Sequence, residues 1–200
     1  MSGSLLVLSG PSGCGKSSLV TEVLKQNDDI YFSISTTTRE PREGEKEGKD
    51  YYFISKEQFQ KEIKEGLFLE WAEVHGNYYG TSIKPIEKAL DEGKLVIFDI
   101  DVQGHEIVKK KYAHLITSLF ITTPNQDILK QRLIGRGTDS LETIQKRITN
   151  AKGEMNRIDE YDYMLVNDDF KESLQKFEAI VKVARLKKNR EKIKHFSSHW

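Results

Sequence analysis

Cysteine is almost absent from this chain of 200 residues, in which Cys14 is the only one. A disulfide within the chain is therefore excluded, and the five histidines form no metal-ligand spacing with Cys14. We predict no zinc site, and we expect a reducing cytoplasm as the location. We interpret Cys14 as a small filler and not as a redox group.

An excess of charge of either sign is also missing, since 31 Lys and Arg residues balance 31 Asp and Glu residues. Proteins that bind nucleic acid through its phosphates are usually basic, so that class is disfavoured. No apolar run approaches the roughly 20 residues of a membrane helix. Residues 1–4 lead directly into the first predicted strand, which argues against a signal peptide. We expect one globular domain that binds neither nucleic acid nor membrane.

One strong motif is present near the start of the chain. The sequence from Gly10 to Ser17 follows the G-x-x-x-x-G-K-S pattern of a phosphate-binding loop, between an apolar predicted strand and a predicted helix. Its glycines let backbone N–H groups converge on an anion, and the helix N-terminus adds a positive end. We expect Lys16 to reach the β- and γ-phosphates of a nucleotide and Ser17 to bind Mg²⁺. The alternative is a glycine-rich turn that binds no ligand.

Strand and helix patterns alternate along the rest of the chain, which predicts an α/β fold with a parallel sheet. Further strands are predicted at residues 31–35, 50–54, 68–74, 95–99, 115–121 and 163–167. Helices are predicted at residues 55–65, 85–91, 102–109, 127–133, 140–158 and 170–190. Asp99 ends an apolar strand as the acid of a Walker-B strand does, so we expect it beside the phosphate-binding loop, facing the Mg²⁺ shell.

A polar segment with two arginines follows the second predicted strand. Arg39 and Arg42 lie three residues apart, and Pro41 disfavours a helix there. Because guanidinium groups bind phosphate in a bidentate manner, this segment is a candidate second anion site. The alternative is a solvated polar loop.

The strand at residues 68–74 carries a carboxylate among apolar residues. Alternation predicts that Phe68, Glu70, Ala72 and Val74 share one face, where an unpaired carboxylate is costly. Tyr51, Glu70 and Tyr79 could gather around one ligand. Structural packing of the tyrosines is the equally supported alternative.

Three arginines surround two glycines after the strand at residues 115–121. Gly135 and Gly137 separate two predicted helices and indicate a hinge, with Arg132 and Arg136 beside it and Arg147 in the second helix. Arginines at a hinge are typical of a mobile lid that closes on phosphates. A charged, solvated surface is the alternative.

Nine short stretches, taken in order along the chain, resemble the guanylate kinases. They are residues 9–17 (SGPSGCGKS), 35–42 (STTTREPR), 44–45 (GE), 48–51 (GKDY), 68–71 (FLEW), 76–81 (GNYYGT), 99–104 (DIDVQG), 132–138 (RLIGRGT) and 166–168 (VND). The resemblance covers residues 4–184. The departures are Cys14 within the loop and Thr81 where serine is also usual.

This resemblance implies a P-loop NTPase-type parallel β-sheet core flanked by helices, with a small mixed α/β GMP-binding insertion and a helical lid. The implied core is residues 1–34, 83–124 and 159–190, the GMP-binding region 35–82, the lid 125–158, and a helical tail 185–200. The implied activity is transfer of the γ-phosphoryl group of ATP to GMP or dGMP, with Mg²⁺, in purine nucleotide metabolism. A homodimer or a higher homo-oligomer is left open.

The resemblance also implies roles for individual residues. The ATP-binding residues would be Gly10, Pro11, Ser12, Gly13, Cys14, Gly15, Lys16, Ser17, Ser18, Arg132 and Arg136. The GMP phosphate would be held by Ser35, Arg39, Arg42, Tyr51 and Tyr79, and guanine would be read by Glu70 and Thr81. Asp99 and Asp101 would lie near GMP and in or near the second shell of Mg²⁺. The catalytic residues would be Lys16, Arg39, Arg132, Arg136 and Arg147.

Two other classes of protein share parts of this pattern. A GTPase switch would use the D-x-x-G pattern at residues 101–104, but the chain lacks an N-K-x-D stretch for guanine. A non-enzymatic scaffold domain would resemble the kinase but usually lacks an intact phosphate-binding loop. Lys16, Ser17 and the lid arginines are all present, which favours catalysis.

Overall fold

The structure is a computed structural model that describes residues 2–42, 44–74, 76–137, 139–187 and 190–200. Thr138, the last residue of the predicted lid motif, lies outside the described residues. So does the side chain of Val74.

The core is a five-stranded parallel sheet in the order β2-β7-β1-β8-β9. Its strands are β1 (Ser4–Ser9), β2 (Ile30–Phe32), β7 (Leu95–Asp99), β8 (Ile116–Thr122) and β9 (Tyr163–Val166), and its helices are α1 (Lys16–Lys25), α3 (Ile83–Asp91), α4 (Val102–Tyr112) and α7 (Phe170–Arg185). Every residue of β1 is buried, as expected for a central parallel strand covered on both faces. The predicted α/β class with a parallel sheet is confirmed.

Alternate residues of β1 face two separate layers of helices. Leu6 and Leu8 belong to one apolar cluster, which includes Leu19 of α1 and Phe177 of α7. Their neighbours in β1 belong to the other cluster, which α3 and α4 complete with buried aliphatic side chains such as Leu90. This two-sided burial fixes the sheet, and with it the loops at the carboxyl ends of its strands.

A second, four-stranded sheet lies between β2 and α3 in sequence. It has the order β4-β3-β6-β5, with β3 (Thr36–Thr37), β4 (Tyr52–Phe53), β5 (Phe68–Val74), β6 (Asn77–Ser82) and the helix α2 (Lys56–Lys64). Ser55 caps α2 by accepting a hydrogen bond from the N–H of Gln58. Phe59 of α2 stacks on Phe68 at 4.1 Å and on Tyr78 at 5.3 Å between ring centres, which anchors the helix to the sheet.

Two helices form a separate unit after β8. They are α5 (Gln126–Gly135) and α6 (Leu141–Met155), and they pack through their own apolar cluster, which includes Leu133 and Ile148. The chain returns to the core through a 3₁₀ turn (Ile158–Glu160), where Lys109 of α4 donates to the carbonyl oxygen of Glu160. A last helix, α8 (Arg190–Ser197), follows α7.

Several predicted boundaries are wrong; the strand predicted at residues 50–54 is confined to Tyr52–Phe53, and the helix predicted to end at residue 109 continues to Tyr112. The strand predicted at residues 31–35 ends at Phe32, because the chain leaves the core sheet there and Thr36–Thr37 pairs within the second sheet. The helix predicted to residue 158 ends at Met155, where a turn closes on the carbonyl oxygen of Glu154. The helix predicted at 170–190 ends at Arg185, whose guanidinium pairs with Asp29. Among the described residues, the helices are all too short or too polar to cross a membrane.

Candidate active site

The phosphate-binding loop connects β1 to α1, and its glycines adopt backbone angles that favour glycine. Gly10, Gly13 and Gly15 have φ angles of 137°, 96° and 97°. A Cβ atom on Gly10 would lie 1.9 Å from the carbonyl oxygen of Ile121, so β8 leaves room for glycine alone. The predicted ATP-binding residues from Gly10 to Ser18 therefore form one compact loop that ends in the first turn of a helix. Backbone N–H groups at such a place form a cradle for an anion.

Lys16, the first residue of α1, folds back over this loop. Its Nζ donates to the carbonyl oxygen of Gly10 at 2.6 Å and lies 3.7 Å from Oδ1 of Asp99, at the end of β7. Burial raises the pKa of Asp99, and the nearby Lys16 ammonium partly opposes that rise. The predicted pairing of the loop with the acid that ends this strand is present.

Cys14 contributes its backbone to the loop while its thiol is fully buried. Its carbonyl oxygen accepts from Nδ2 of Asn167 at 2.7 Å and from Nη1 of Arg132 at 3.5 Å. Burial raises the pKa of the thiol, which keeps it protonated and supports its interpretation as a filler. Arg132 also donates to the carbonyl oxygen of Asp168 at 3.2 Å, so it joins the loop to the segment after β9.

The helix α6 also contacts the phosphate-binding loop. Arg147 donates to Oγ of Ser12 and, at 3.2 Å, to Oδ1 of Asp139. Glu154 lies two helical turns further along the same face of α6 and is half-buried. Burial raises its pKa, while the charge of Lys16 lowers it. Arg136 caps the C-terminus of α5 and is exposed, and none of the described hydrogen bonds joins it to the loop.

A second cluster of predicted residues lies in the segment after β3 and in β6. Nη2 of Arg39 donates to both carboxylate oxygens of Glu45, at 2.8 and 2.9 Å. The Arg39 guanidinium lies 5.5 Å from the ring centre of Tyr51, and Tyr51 meets Tyr79 edge to face at 6.2 Å. The Glu45 carboxylate, followed by the Tyr79 hydroxyl, raises the pKa of Arg39. Arg42 is exposed beside this cluster.

Glu70 pairs with Thr81 across β5 and β6. Oγ1 of Thr81 donates to Oε1 of Glu70 at 2.6 Å. The prediction that Glu70 lies on a largely apolar face is wrong, since the register shifts between Phe68 and Glu70 and Ala72 is exposed. Glu70 is half-buried, and its carboxylate accepts from Thr81.

The remaining predicted residues lie between two strands or at the start of a helix. The carbonyl oxygen of Ser35, between β2 and β3, accepts from the N–H of Tyr52 at 2.9 Å. Asp101 caps α4, since its Oδ1 accepts from the N–H groups of Gln103 and Gly104 at 3.0 and 2.7 Å. Ser17 is exposed in the first turn of α1.

These donors fit a magnesium ion that arrives with a nucleotide. Mg²⁺ is usually held by one or two protein oxygens together with phosphates and waters, not by a cage of side chains. The hydroxyl of Ser17 and the carboxylate of Asp99 offer such oxygens beside the loop. In the described part of the chain, no group of three or more acidic, histidine or cysteine side chains is arranged to hold a metal by itself.

Comparison with known proteins agrees with this arrangement. A sequence model of the family described as "Guanylate kinase" matches residues 2–184. A guanylate kinase of Wolinella succinogenes is 54% identical over 198 residues, which cover 99% of this chain and 92% of that protein. One of Helicobacter pylori is 56% identical over 185 residues, or 92% and 89%. The crystal structure of guanylate kinase from Anaplasma phagocytophilum has a TM-score of 0.70 at 34% identity, covering 92% and 87%. The chain belongs to the guanylate kinase family.

Membership of the guanylate kinase family confirms the resemblance predicted from the nine stretches. The activity of that family is phosphoryl transfer from ATP to GMP.

Sequence reasoning assigned no role to three residues at the site of this guanylate kinase family member. Asn167 lies in the VND stretch at residues 166–168, and its side chain holds the loop through the carbonyl oxygen of Cys14. Glu45 also lies in a quoted motif and pairs with Arg39. Glu154 could have been found from its spacing, since it lies seven residues after Arg147 and so shares its helix face.

Proposed function

We propose that this chain is an ATP:GMP phosphotransferase that forms ADP and GDP and that also accepts dGMP. The observation that carries the proposal is the complete phosphate-binding loop, in which Lys16 and Asp99 meet at the start of α1. Such a loop binds a nucleoside triphosphate, and the chemistry of the family supplies the acceptor.

The donor nucleotide binds along the loop and the first turn of α1. In the free protein the Lys16 ammonium donates to the carbonyl oxygen of Gly10. When ATP binds, the ammonium exchanges that partner for the β- and γ-phosphates. Arg132 already contacts the loop through Cys14, and that contact supports a role for it at the phosphates. Arg136 joins it when α5 and α6 close over the site.

A Mg²⁺ ion bound with ATP would supply charge neutralisation at the phosphates. Ser17 would hold the ion, and Asp99 and Asp101 would lie in or near its second shell. The exposed hydroxyl of Ser17 and the position of Asp99 beside Lys16 support this assignment.

The acceptor binds between the second sheet and the loop. Arg39, Arg42, Tyr51 and Tyr79 hold its phosphate, with Ser35 at the rim. The carboxylate of Glu70 accepts from the adjacent N1–H and N2 amine of guanine, and Thr81, which donates to Glu70, orients it. Adenine presents an acceptor at N1 instead, which a carboxylate repels.

Transfer then depends on position and charge. The attacking oxygen belongs to the GMP phosphate, which is ionised at neutral pH, so the chain needs no general base. Lys16, Arg39, Arg132, Arg136 and Arg147 stabilise the charge that develops on the transferred group. We place the reaction in the cytoplasm, where ATP and GMP are found, and we leave a homodimer or a larger homo-oligomer open.

A coupled assay of ADP release tests the activity. The protein is incubated with ATP and Mg²⁺ and with GMP, AMP, UMP or dTMP as the acceptor. We expect rapid turnover with GMP and turnover on the order of 10³-fold less efficient with AMP. Faster turnover with any other monophosphate than with GMP would refute the proposal.

A further inference from the structure

Glu45 holds Arg39 from one side only. Both carboxylate oxygens accept from Nη2, and Nη1 donates to the carbonyl oxygen of Glu40 at 2.6 Å. The Tyr79 hydroxyl also lies close enough to the guanidinium to raise its pKa. Arg39 has five N–H donors, so these contacts orient the guanidinium and still leave at least one donor for a phosphate.

The same carboxylate also fixes the base of the second arginine. Oε2 of Glu45 accepts from the backbone N–H of Arg42 at 2.7 Å, and the N–H of Glu45 donates to the carbonyl oxygen of Arg42 at 3.0 Å. Gly44, with a φ angle of 87°, gives the turn this conformation. These two contacts between Arg42 and Glu45 keep the backbone of Arg42 beside the Arg39 guanidinium.

The aromatic side chains complete the orientation of Arg39. Its guanidinium faces the Tyr51 ring at 5.5 Å, a distance at which a cation is attracted to the ring. The pair is largely shielded from solvent, since the Arg39 and Glu45 side chains are 15% and 20% exposed. Arg39 and Glu45 hold the pKa of each other away from its usual range, upwards for the arginine and downwards for the acid, so both stay charged.

We infer that Glu45 is a positioning residue for the acceptor phosphate, acting through Arg39 and the loop that carries Arg42. The inference rests on the proposed function, since it assigns the same site a residue that orders its arginines before the nucleotide arrives. An arginine that is already ordered loses less side-chain freedom on binding, which favours affinity by a factor of about three to ten.

The geometry also disfavours the opposite role, in which Glu45 competes with the phosphate. A competitor would take up the donors of Arg39 that the phosphate needs. Glu45 instead accepts from Nη2 alone, and its Oε2 also accepts from the backbone N–H of Arg42. A carboxylate between two arginines also lowers their mutual repulsion.

Glu45→Gln tests the inference, because the amide keeps the shape and removes the charge. The Kd of GMP and of ATP, each alone, is measured by calorimetry, and the Kd of guanosine, which has no phosphate, by nuclear magnetic resonance titration. We expect the GMP Kd to rise about three- to tenfold, while the guanosine and ATP Kd values stay within a factor of two. In turnover, the KM for GMP rises by the same factor and kcat at saturating GMP changes less than twofold.

Glu40→Gln is the matched control. Glu40 is exposed and adjoins Arg39 in sequence, and the substitution removes the same charge as Glu45→Gln does. We expect this control to leave all three Kd values unchanged. Equal weakening of guanosine and GMP by Glu45→Gln would mean a general loss of structure in the second sheet and would overturn the inference. Tighter binding of GMP by Glu45→Gln would show that Glu45 competes with the phosphate. An unchanged Kd for GMP would show that Glu45 has no role in binding it.

The parent protein separates this inference from the proposed function. If the parent does not phosphorylate GMP, the proposed function is wrong. If the parent is active and Glu45→Gln binds GMP as tightly, only the role of Glu45 is wrong.

Discussion

Lys16 is the residue on which the chemistry of the loop depends most. In the absence of a nucleotide its ammonium is held by the carbonyl oxygen of Gly10 and lies beside Asp99, so the charge is already inside the cradle. A preorganised cation of this kind needs little rearrangement when a phosphate arrives. Such groups contribute to catalysis more than to folding.

Lys16→Met is therefore expected to lower kcat at least about 10²-fold while the protein remains folded. Steady-state rates and circular dichroism measure the two effects. Lys25→Met, at the exposed end of the same helix, is the control and should have the parent's kcat. Near-normal turnover of Lys16→Met would contradict the assignment of this loop to the ATP phosphates.

Glu70 determines the choice of base in our proposal. Its carboxylate accepts from Thr81 at 2.6 Å, and an isosteric amide can keep that hydrogen bond through its oxygen. Glu70→Gln should therefore keep its melting temperature and its ATP affinity. Because an amide nitrogen meets the donors of guanine unfavourably, kcat/KM for GMP should fall and the preference for GMP over AMP should narrow about tenfold or more.

Paired assays of GMP and AMP measure that preference. Glu73→Gln, on the exposed part of the same strand, provides the control and should have the parent's preference. If Glu70→Gln still phosphorylated GMP normally and rejected AMP, the guanine reader would have to be sought among Thr81, Ser35 and Asp101.

At the scale of elements, α5 and α6 depend on few contacts with the core. Their apolar cluster is their own, and the described polar contacts to the loop are those of Arg132 and Arg147. Units packed in this way open at a lower free energy than a central strand. We expect residues 125–158 to exchange their amide hydrogens faster than Leu95–Asp99 in the free protein.

A bisubstrate analogue should slow that exchange, because it gives Arg132, Arg136 and Arg147 a common anion. Hydrogen-exchange mass spectrometry of free and bound protein measures it, and Leu95–Asp99 serves as the internal reference. Equal exchange in the two states would show that this segment is a fixed part of the core.

The same elements show how far sequence reasoning reaches. The loop, Asp99 and the cap at Ser55 follow from local patterns, so they could be predicted. The end of β2 at Phe32 could not, because the next residues leave for another sheet and a β-prone run does not say which sheet it joins. The exposure of Ala72 follows from a register shift that alternation cannot reveal, and Glu45 acquires its role only when Arg39 folds onto it.

At the scale of the whole molecule, the core ends with α7. Arg185 pairs with Asp29 in the turn before β2, so α7, the last helix of the core, is joined to the segment between α1 and β2. The described side chains that follow in α8 and beyond are exposed, Phe196 and Trp200 included. Apolar side chains this exposed bury little surface and so add little to stability.

Removal of residues 188–200 should therefore leave the melting temperature within about 2 °C and both KM values unchanged. Differential scanning calorimetry and steady-state assays of the shortened chain measure this. A control shortened further, to residue 180, removes Val181 and Ala184 from the core and should be clearly destabilised. A large loss of stability on the first truncation would show that the tail packs on the core.

The second sheet begins and ends at the same place. Thr36 of β3 pairs with Gly80 of β6, and its Oγ1 lies 2.9 Å from Oγ of Ser82. The 47 residues from 36 to 82 therefore leave the core and return to it at adjacent positions. A segment whose two ends are adjacent can be replaced without changing the path of the chain on either side. Exchange of this segment by recombination at its two ends could therefore change the acceptor selectivity of a kinase while the phosphate-binding loop is kept.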